Sequence, residues 1–147
     1  CREALPRLGV SARVLPAAPN AVPAGLGAYD GLIVGWGGYM HIAGRSRRVA
    51  FLRSLRGDVD PGAPLLLSFF ARTDPSRALR LTFRIASALR RLRRSTDAVE
   101  YGDTLDGTFD HRFVREEVAS ELAAGGFELV AYATEPYGHA VGRAVAP

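Results

Sequence analysis

Tyr29–His41, YDGLIVGWGGYMH, and Asp60–Phe70, DPGAPLLLSFF, are the two stretches that decide the fold. Each is an apolar run that ends in small or polar residues, and the segment between them has a helical pattern. In residues 47–56, Val49, Phe51, Leu52 and Leu55 form one apolar stripe, and Gly57 follows as a stop. Strand, crossover helix, strand is the unit of a parallel sheet, and such sheets bind ligands at the carboxyl ends of their strands. The glycines at the end of the first run (Gly35, Gly37, Gly38) let a ligand approach the backbone where a Cβ would otherwise stand.

The remaining composition sets bounds. A chain of 147 residues corresponds to one domain with a real core. No apolar run approaches the ~20 residues of a membrane span, and no basic–apolar–small leader opens the chain, so a cytoplasmic protein is expected. The single Cys1 leaves no internal disulfide and no thiolate metal cage. Starting at Cys within a helical pattern predicts a chain truncated at its N-terminus. No glycine-rich nucleotide loop follows a first strand. All 19 basic residues are Arg, which we read as compositional bias, and the net charge is +4. Seven of these arginines, Arg77, Arg80, Arg84, Arg90, Arg91, Arg93 and Arg94, fall in one stretch without an acid.

Along the chain, residues 2–8 read as the end of a helix closed by Gly9, and residues 10–15 alternate as a short strand. Residues 16–27 are Pro- and Ala-rich loop. Residues 29–35 are apolar on both faces and predict a central strand; residues 64–69 are the next. A helix over 75–94 would turn Leu81, Ile85, Ala88, Leu89 and Leu92 inward. Residues 108–113 are extended, and 115–124 form a helix with Glu116 and Glu117 at its positive end. Two final strands, 127–134 and 138–145, are antiparallel if residues 135–138 turn.

In this order, YDGLIVGWG, RSRRVAFLRSLRGDVDPGAPLLLSFF and HRFVREEVASELAAGGFELV resemble the C-terminal portion of a class I S-adenosylmethionine-dependent methyltransferase. The resemblance implies an α/β fold, a three-layer Rossmann-like sheet, mostly parallel with an antiparallel C-terminal hairpin. It spans residues 1–147 as one partial domain with a basic helical insert at about 73–107. It also implies a small-molecule methyl acceptor and S-adenosylmethionine as cofactor, with the cofactor's glycine loop lying ahead of Cys1 and this chain alone inactive. Gly35, Trp36 and Gly37 would line the cofactor's reactive end, and Trp36 or Tyr39 could offer a ring to its sulfonium. His41 could take a proton, with Tyr39 beside it as the second catalytic candidate. Ala17 and Ala18 stand where many members carry an acid near the adenine.

Each candidate has a plainer reading. Trp36 and Tyr39 can simply pack a loop, and His41 can be an exposed histidine. His111 and His139 lack metal-ligand spacing, and Asp110-His111 reads as a contact at the start of a helix. Ser68 has no nucleophile elbow around it. Arg72 could meet an anionic substrate group. Two other classes stay open: a basic-helix module for nucleic acid or an anionic surface, which lacks aromatic interleaving, and another doubly wound enzyme. Without two preceding strands, the outer edge of strand 29–35 would be unpaired, favouring self-association into a homo-oligomer.

Overall fold

The computed structural model describes residues 4–9, 11–18, 20–23, 29–73, 81, 83–85, 88, 99–104 and 108–146. Among them, a four-stranded sheet carries helices α2 (Arg45–Arg56) and α3 (Arg115–Gly125). A short helix α1 (Ala4–Arg7) precedes it. Strand β1 (Leu32–Val34) leads through a 3-10 turn at Gly38–His41 and α2 into β2 (Pro64–Phe69), which pairs with β1 in parallel. A small antiparallel pair, β3 (Asp103–Thr104) and β4 (Asp110–His111), lies to the side. Helix α3 then leads into β5 (Phe127–Ala133) and β6 (Gly138–Ala144).

The sheet order is β1-β2-β6-β5, with β6 antiparallel to both neighbours, so three strands run one way and the last is the reversed hairpin arm. The final strand thus inserts between β2 and β5 instead of adding at the edge. Gly142 permits this: a Cβ there would meet Leu122 at 3.1 Å.

Alternation along β2 explains the layering. Leu65, Leu67 and Phe69 are buried against the helices, whereas Leu66 and Ser68 face the other side. Leu52 and Leu55 of α2 and Val118 and Leu122 of α3 complete that core with Phe127. The two helices approach closely because Gly125 has no side chain; a Cβ there would lie 2.5 Å from Leu52 Cβ. Tyr39 stacks on Phe113 at 5.2 Å, and Phe113 meets Phe69 edge-on at 5.4 Å, so one aromatic column ties the 3-10 turn to the sheet.

Several expectations are corrected. Strand β1 is the outer strand of the described sheet, not a central one, and Ile33 is 76% exposed. Its two apolar faces signalled a strand but not the presence of a second neighbour. The strand expected over 10–15 does not form among the described residues: 11–18 belong to no strand, and alternation alone does not make one. The expected helix over 75–94 lies largely outside the described residues. Those described, Leu81, Phe83, Arg84, Ile85 and Ala88, are helical. Leu81, Ile85 and Ala88 are exposed rather than inward. Phe83, which packs edge-on against Tyr101, turns toward the body instead.

Candidate active site at the strand ends

The chain turns sharply where β1 ends. Trp36 (φ 55°) and Gly37 (φ 66°) are both left-handed. For glycine this is inexpensive; any other residue at Gly37 would be strained by the left-handed backbone and would also have to move the Met40 side-chain end, 2.6 Å from its Cβ. For a bulky residue such as Trp36 it costs about 1–3 kcal/mol. Burial does not offset that cost, because the indole is fully exposed. The turn is held by Ser68 of β2: Gly37 N–H donates to Ser68 Oγ at 3.0 Å, and that hydroxyl donates to Val34 O at 3.4 Å. Gly38 N–H closes the turn onto Gly35 O at 3.0 Å.

This turn forms one wall of a cavity of about 390 Å³ at the carboxyl ends of β1 and β2 and the start of β6. Trp36, Gly37, Met40, Phe69, Phe70 and Tyr137 line it, together with Ser68 and His139. Among the described residues, no arginine or carboxylate lines it. Gly138 sets its depth, because a Cβ there would lie 2.6 Å from the Phe69 ring. Ser68 and His139 are direct partners across the β2–β6 ladder, so their side chains rise from the same face.

Of the expected site residues, Trp36 and Gly37 line this cavity and Gly35 forms the turn beside it. Tyr39 does not face it. Its ring is completely buried and its hydroxyl donates to Glu121, so it serves the interior rather than a ligand. His41 also lies off the cavity lining. It is exposed, and its Nδ1 donates to Phe109 O at 2.8 Å, which leaves Nε2 as the lone-pair nitrogen of the neutral ring. Ala17 and Ala18 are exposed on an irregular segment. His139, which the sequence pattern did not favour, is the histidine of the cavity. Its register opposite Ser68 is a signal only once the hairpin is placed.

A second constellation lies between α2, α3 and the β3–β4 pair. Arg48 is 1% exposed and holds Glu121 through Nη2 at 2.7 Å and Nε at 2.9 Å, while the same Nη2 reaches Glu100 at 2.6 Å. Burial works against the arginine's charge, but the two carboxylates outweigh it and hold the guanidinium protonated far beyond its ordinary value. Burial, reinforced by the charge of Glu121, drives the Tyr39 hydroxyl far above the usual phenol range. Glu100 also accepts the first N–H of α2, Arg45 N, at 2.6 Å, so a carboxylate caps that helix from a distance.

His111 is equally enclosed. Its Nδ1 donates to Asp103 Oδ1 at 2.7 Å, so its partner is Asp103 and not the neighbouring Asp110. Burial lowers its basicity, yet Asp103 and Glu117 raise it above its ordinary value on balance. Glu117 is drawn down to about 2: burial opposes this, but His111, the Val114 N–H and Arg72 together prevail. Arg72, read as a ligand contact, is instead tied to Glu117 at 2.9 Å and to the carbonyl of Tyr101. Glu100, Asp103 and His111 are close enough together to suggest a cation site. Most of their facing atoms are matched by Arg48, by the Arg45 N–H and by each other, while the buried His111 Nε2 has no hydrogen-bond partner among the described residues and lies 3.8 Å from Glu117.

No protein-family profile matches the sequence, and no curated protein sequence is detectably similar. Solved structures are similar in fold. An S-adenosylmethionine-dependent methyltransferase from Methanosarcina mazei superposes with a TM-score of 0.62 at 14% identity, over 89% of this chain and 66% of its own. One from Clostridium acetobutylicum gives 0.65 at 7% identity, over 99% and 70%. The amino pentose methyltransferase CalS10 from Micromonospora echinaspora, solved with S-adenosylmethionine bound, gives 0.55 at 15% identity, over 86% and 62%. The chain thus spans about two thirds of the length of these proteins. It has the class I S-adenosylmethionine-dependent methyltransferase fold.

Proposed function

We propose that this chain contributes to methyl transfer from S-adenosylmethionine to a small-molecule acceptor at the strand-end cavity. The observation that carries the reading is the strained, solvent-facing turn at Trp36–Gly37, set at the carboxyl ends of parallel strands in a methyltransferase fold. A fold of this kind offers ligands that end of the sheet. The cavity's lining fits the methyl-bearing end of the cofactor. Aromatic rings favour a sulfonium, and no arginine among the described lining residues repels it. When bound, that group supplies an electrophilic methyl carbon.

The protein's own contribution is alignment. In-line displacement needs the acceptor held at the methyl with little covalent help, and a rigid wall achieves this. Ser68 fixes the backbone of the turn, and Met40 and Phe69 exclude water from its base. Among the described residues no carboxylate lines the cavity to hold the cofactor's ribose or amino group, so we further propose that the chain alone binds the cofactor weakly and is inactive. We place its action in the cytoplasm; no described helix is long and apolar enough to cross a membrane.

The test is titration of labelled S-adenosylmethionine into this chain and into the product of the reading frame extended upstream of Cys1. Binding that is tighter in the extended protein and shifts the emission of the single tryptophan, Trp36, is expected. No binding to either, with both folded by circular dichroism, overturns the reading.

A further inference from the structure

The lining of the strand-end cavity restricts what it can accept. Four of its side chains are carbocyclic or indole aromatics (Trp36, Phe69, Phe70 and Tyr137), and Met40 adds a fifth apolar surface. Its volume of about 390 Å³ is near the lower end of the roughly 300–1,000 Å³ common for small-molecule sites. An anionic or polyhydroxylated guest would lose its water there without finding partners among the described lining residues, which costs more than its contacts return. The Ser68 hydroxyl is already committed to Gly37 and Val34. Arg112 sits 6.0 Å from the Phe70 ring but does not line the cavity.

One lining group can still take a proton. The His139 side chain makes no hydrogen bond with a described residue, unlike His41, bound to Phe109 O, and His111, bound to Asp103. It is half-buried and stands opposite Ser68 in the ladder.

We infer that the cavity takes a neutral, planar aromatic alcohol of phenol type, and that His139 receives the proton of its hydroxyl. This rests on the methyl-transfer reading for the chemical step but not for the binding. In that step the acceptor's oxygen lone pair forms the new carbon–oxygen bond. The methyl–sulfur bond breaks with its electron pair remaining on sulfur. The hydroxyl proton passes to the neutral imidazole of His139, which then loses it to solvent. CalS10, an amino pentose methyltransferase, shares the fold, but an amino sugar carries several hydroxyls, and the described lining offers them few spare partners beyond His139 and the Tyr137 hydroxyl.

The experiment is a nitrogen-15 NMR titration with three probes: 2-naphthol, 2-naphthalenesulfonate and glucosamine. The chain has one tryptophan and three histidines, so the indole N–H reports Trp36 and three ring signals report His41, His111 and His139 separately. The expected result is saturable shifts from 2-naphthol at Trp36 and His139 alone, with affinity at least about tenfold above either other probe, a difference well resolved in such titrations. His139→Gln should keep the Trp36 shift while weakening 2-naphthol several-fold. Equal or tighter binding of glucosamine or the sulfonate overturns the acceptor class. An unmoved His139 signal, or unchanged affinity in His139→Gln, overturns the role of His139. Parallel titration with S-adenosylhomocysteine separates the two readings. Binding of 2-naphthol with no cofactor binding, even by the upstream-extended protein, upholds the cavity assignment and removes methyl transfer. Cofactor binding without 2-naphthol binding removes the cavity assignment alone.

Discussion

The strand-end cavity and the ionic network around Arg48 are built from opposite materials. The cavity is aromatic and, among its described lining residues, uncharged, and its wall carries backbone strain at Trp36. The network is charged, lines a cleft of about 430 Å³ and carries no comparable strain; Arg48, Glu121 and His111 are each at most 2% exposed. Tyr39 connects them, since its residue belongs to the turn beside the cavity while its hydroxyl ends on Glu121. The contrast teaches where to look for chemistry in this molecule. Perturbed titration collects in the network, where the charges largely pair with one another although the buried His111 Nε2 has no hydrogen-bond partner among the described residues. The strand-end cavity differs in offering His139, whose side chain makes no hydrogen bond with a described residue, beside aromatic rings.

The sharpest way to break this comparison is to remove the charge at the network's centre. Arg48→Met strands Glu121 in the interior with only the Tyr39 hydroxyl, and loss of one partner of a buried pair costs about 3–5 kcal/mol. Urea denaturation should register that loss, and Arg48→Met with Glu121→Leu should recover a good part of it. A single variant that unfolds at the parent midpoint would mean the network is not structural.

Gly138→Ala is expected to act on the cavity's base. The added methyl meets the Phe69 ring at 2.6 Å and must displace it. Overpacking of this kind costs typically 1–3 kcal/mol. The same variant should abolish the 2-naphthol shift at Trp36, whereas Gly125→Ala, which separates α2 from α3, should lower stability by a similar amount and leave that shift in place.

A pH series sharpens the network's side. The folded value of His111 is raised, so its contribution is complete below its ordinary value of 6.5 and is lost as pH climbs through the raised folded value. Glu117 is lowered from 4.5 to about 2, so its contribution is complete above 4.5 and is lost as pH falls toward 2. The urea midpoint should therefore be highest between pH 4.5 and 6.5 and decline on both sides. His111→Gln should remove most of the alkaline decline. A midpoint that keeps rising above neutrality contradicts the assignment.

The smallest effect on stability belongs to Trp36→Gly. The indole is fully exposed and the left-handed backbone suits glycine, so the melting temperature should hold or rise slightly. Cavity binding should nevertheless fall. A destabilised variant would show that the indole packs on something, and the exposure argument for a ligand role would fail.

Much of the fold was legible in the chain. Helix stripes in α2 and α3, the Asp60-Pro61-Gly62 turn and the antiparallel final hairpin follow from periodicity and punctuation, which are local properties. Sheet position was not. Ile33 carries a strand's side chain whether or not a neighbour lies beyond it, and residues 10–15 alternate as a strand would, yet 11–15 belong to no strand. The resemblance correctly pointed to the methyltransferase fold because the order of several weak phrases constrains topology more than any one of them.

The site divided along the same line. Gly35, Trp36 and Gly37 could be singled out because a glycine-rich strand end is a continuous stretch of sequence. His41 and Tyr39 looked equivalent to them only by proximity along the chain, and a 3-10 turn sends residues two apart in different directions: Tyr39 inward to Glu121, His41 to Phe109. His139 lies about a hundred residues from Trp36 and meets the same cavity through the β2–β6 register. Sequence by itself determined the elements and the strand-end turn, because hydrophobic period and glycine act within a few residues. Tertiary structure alone decided which histidine faces the cavity and which charges cancel, because both depend on pairings between segments that are distant in the chain.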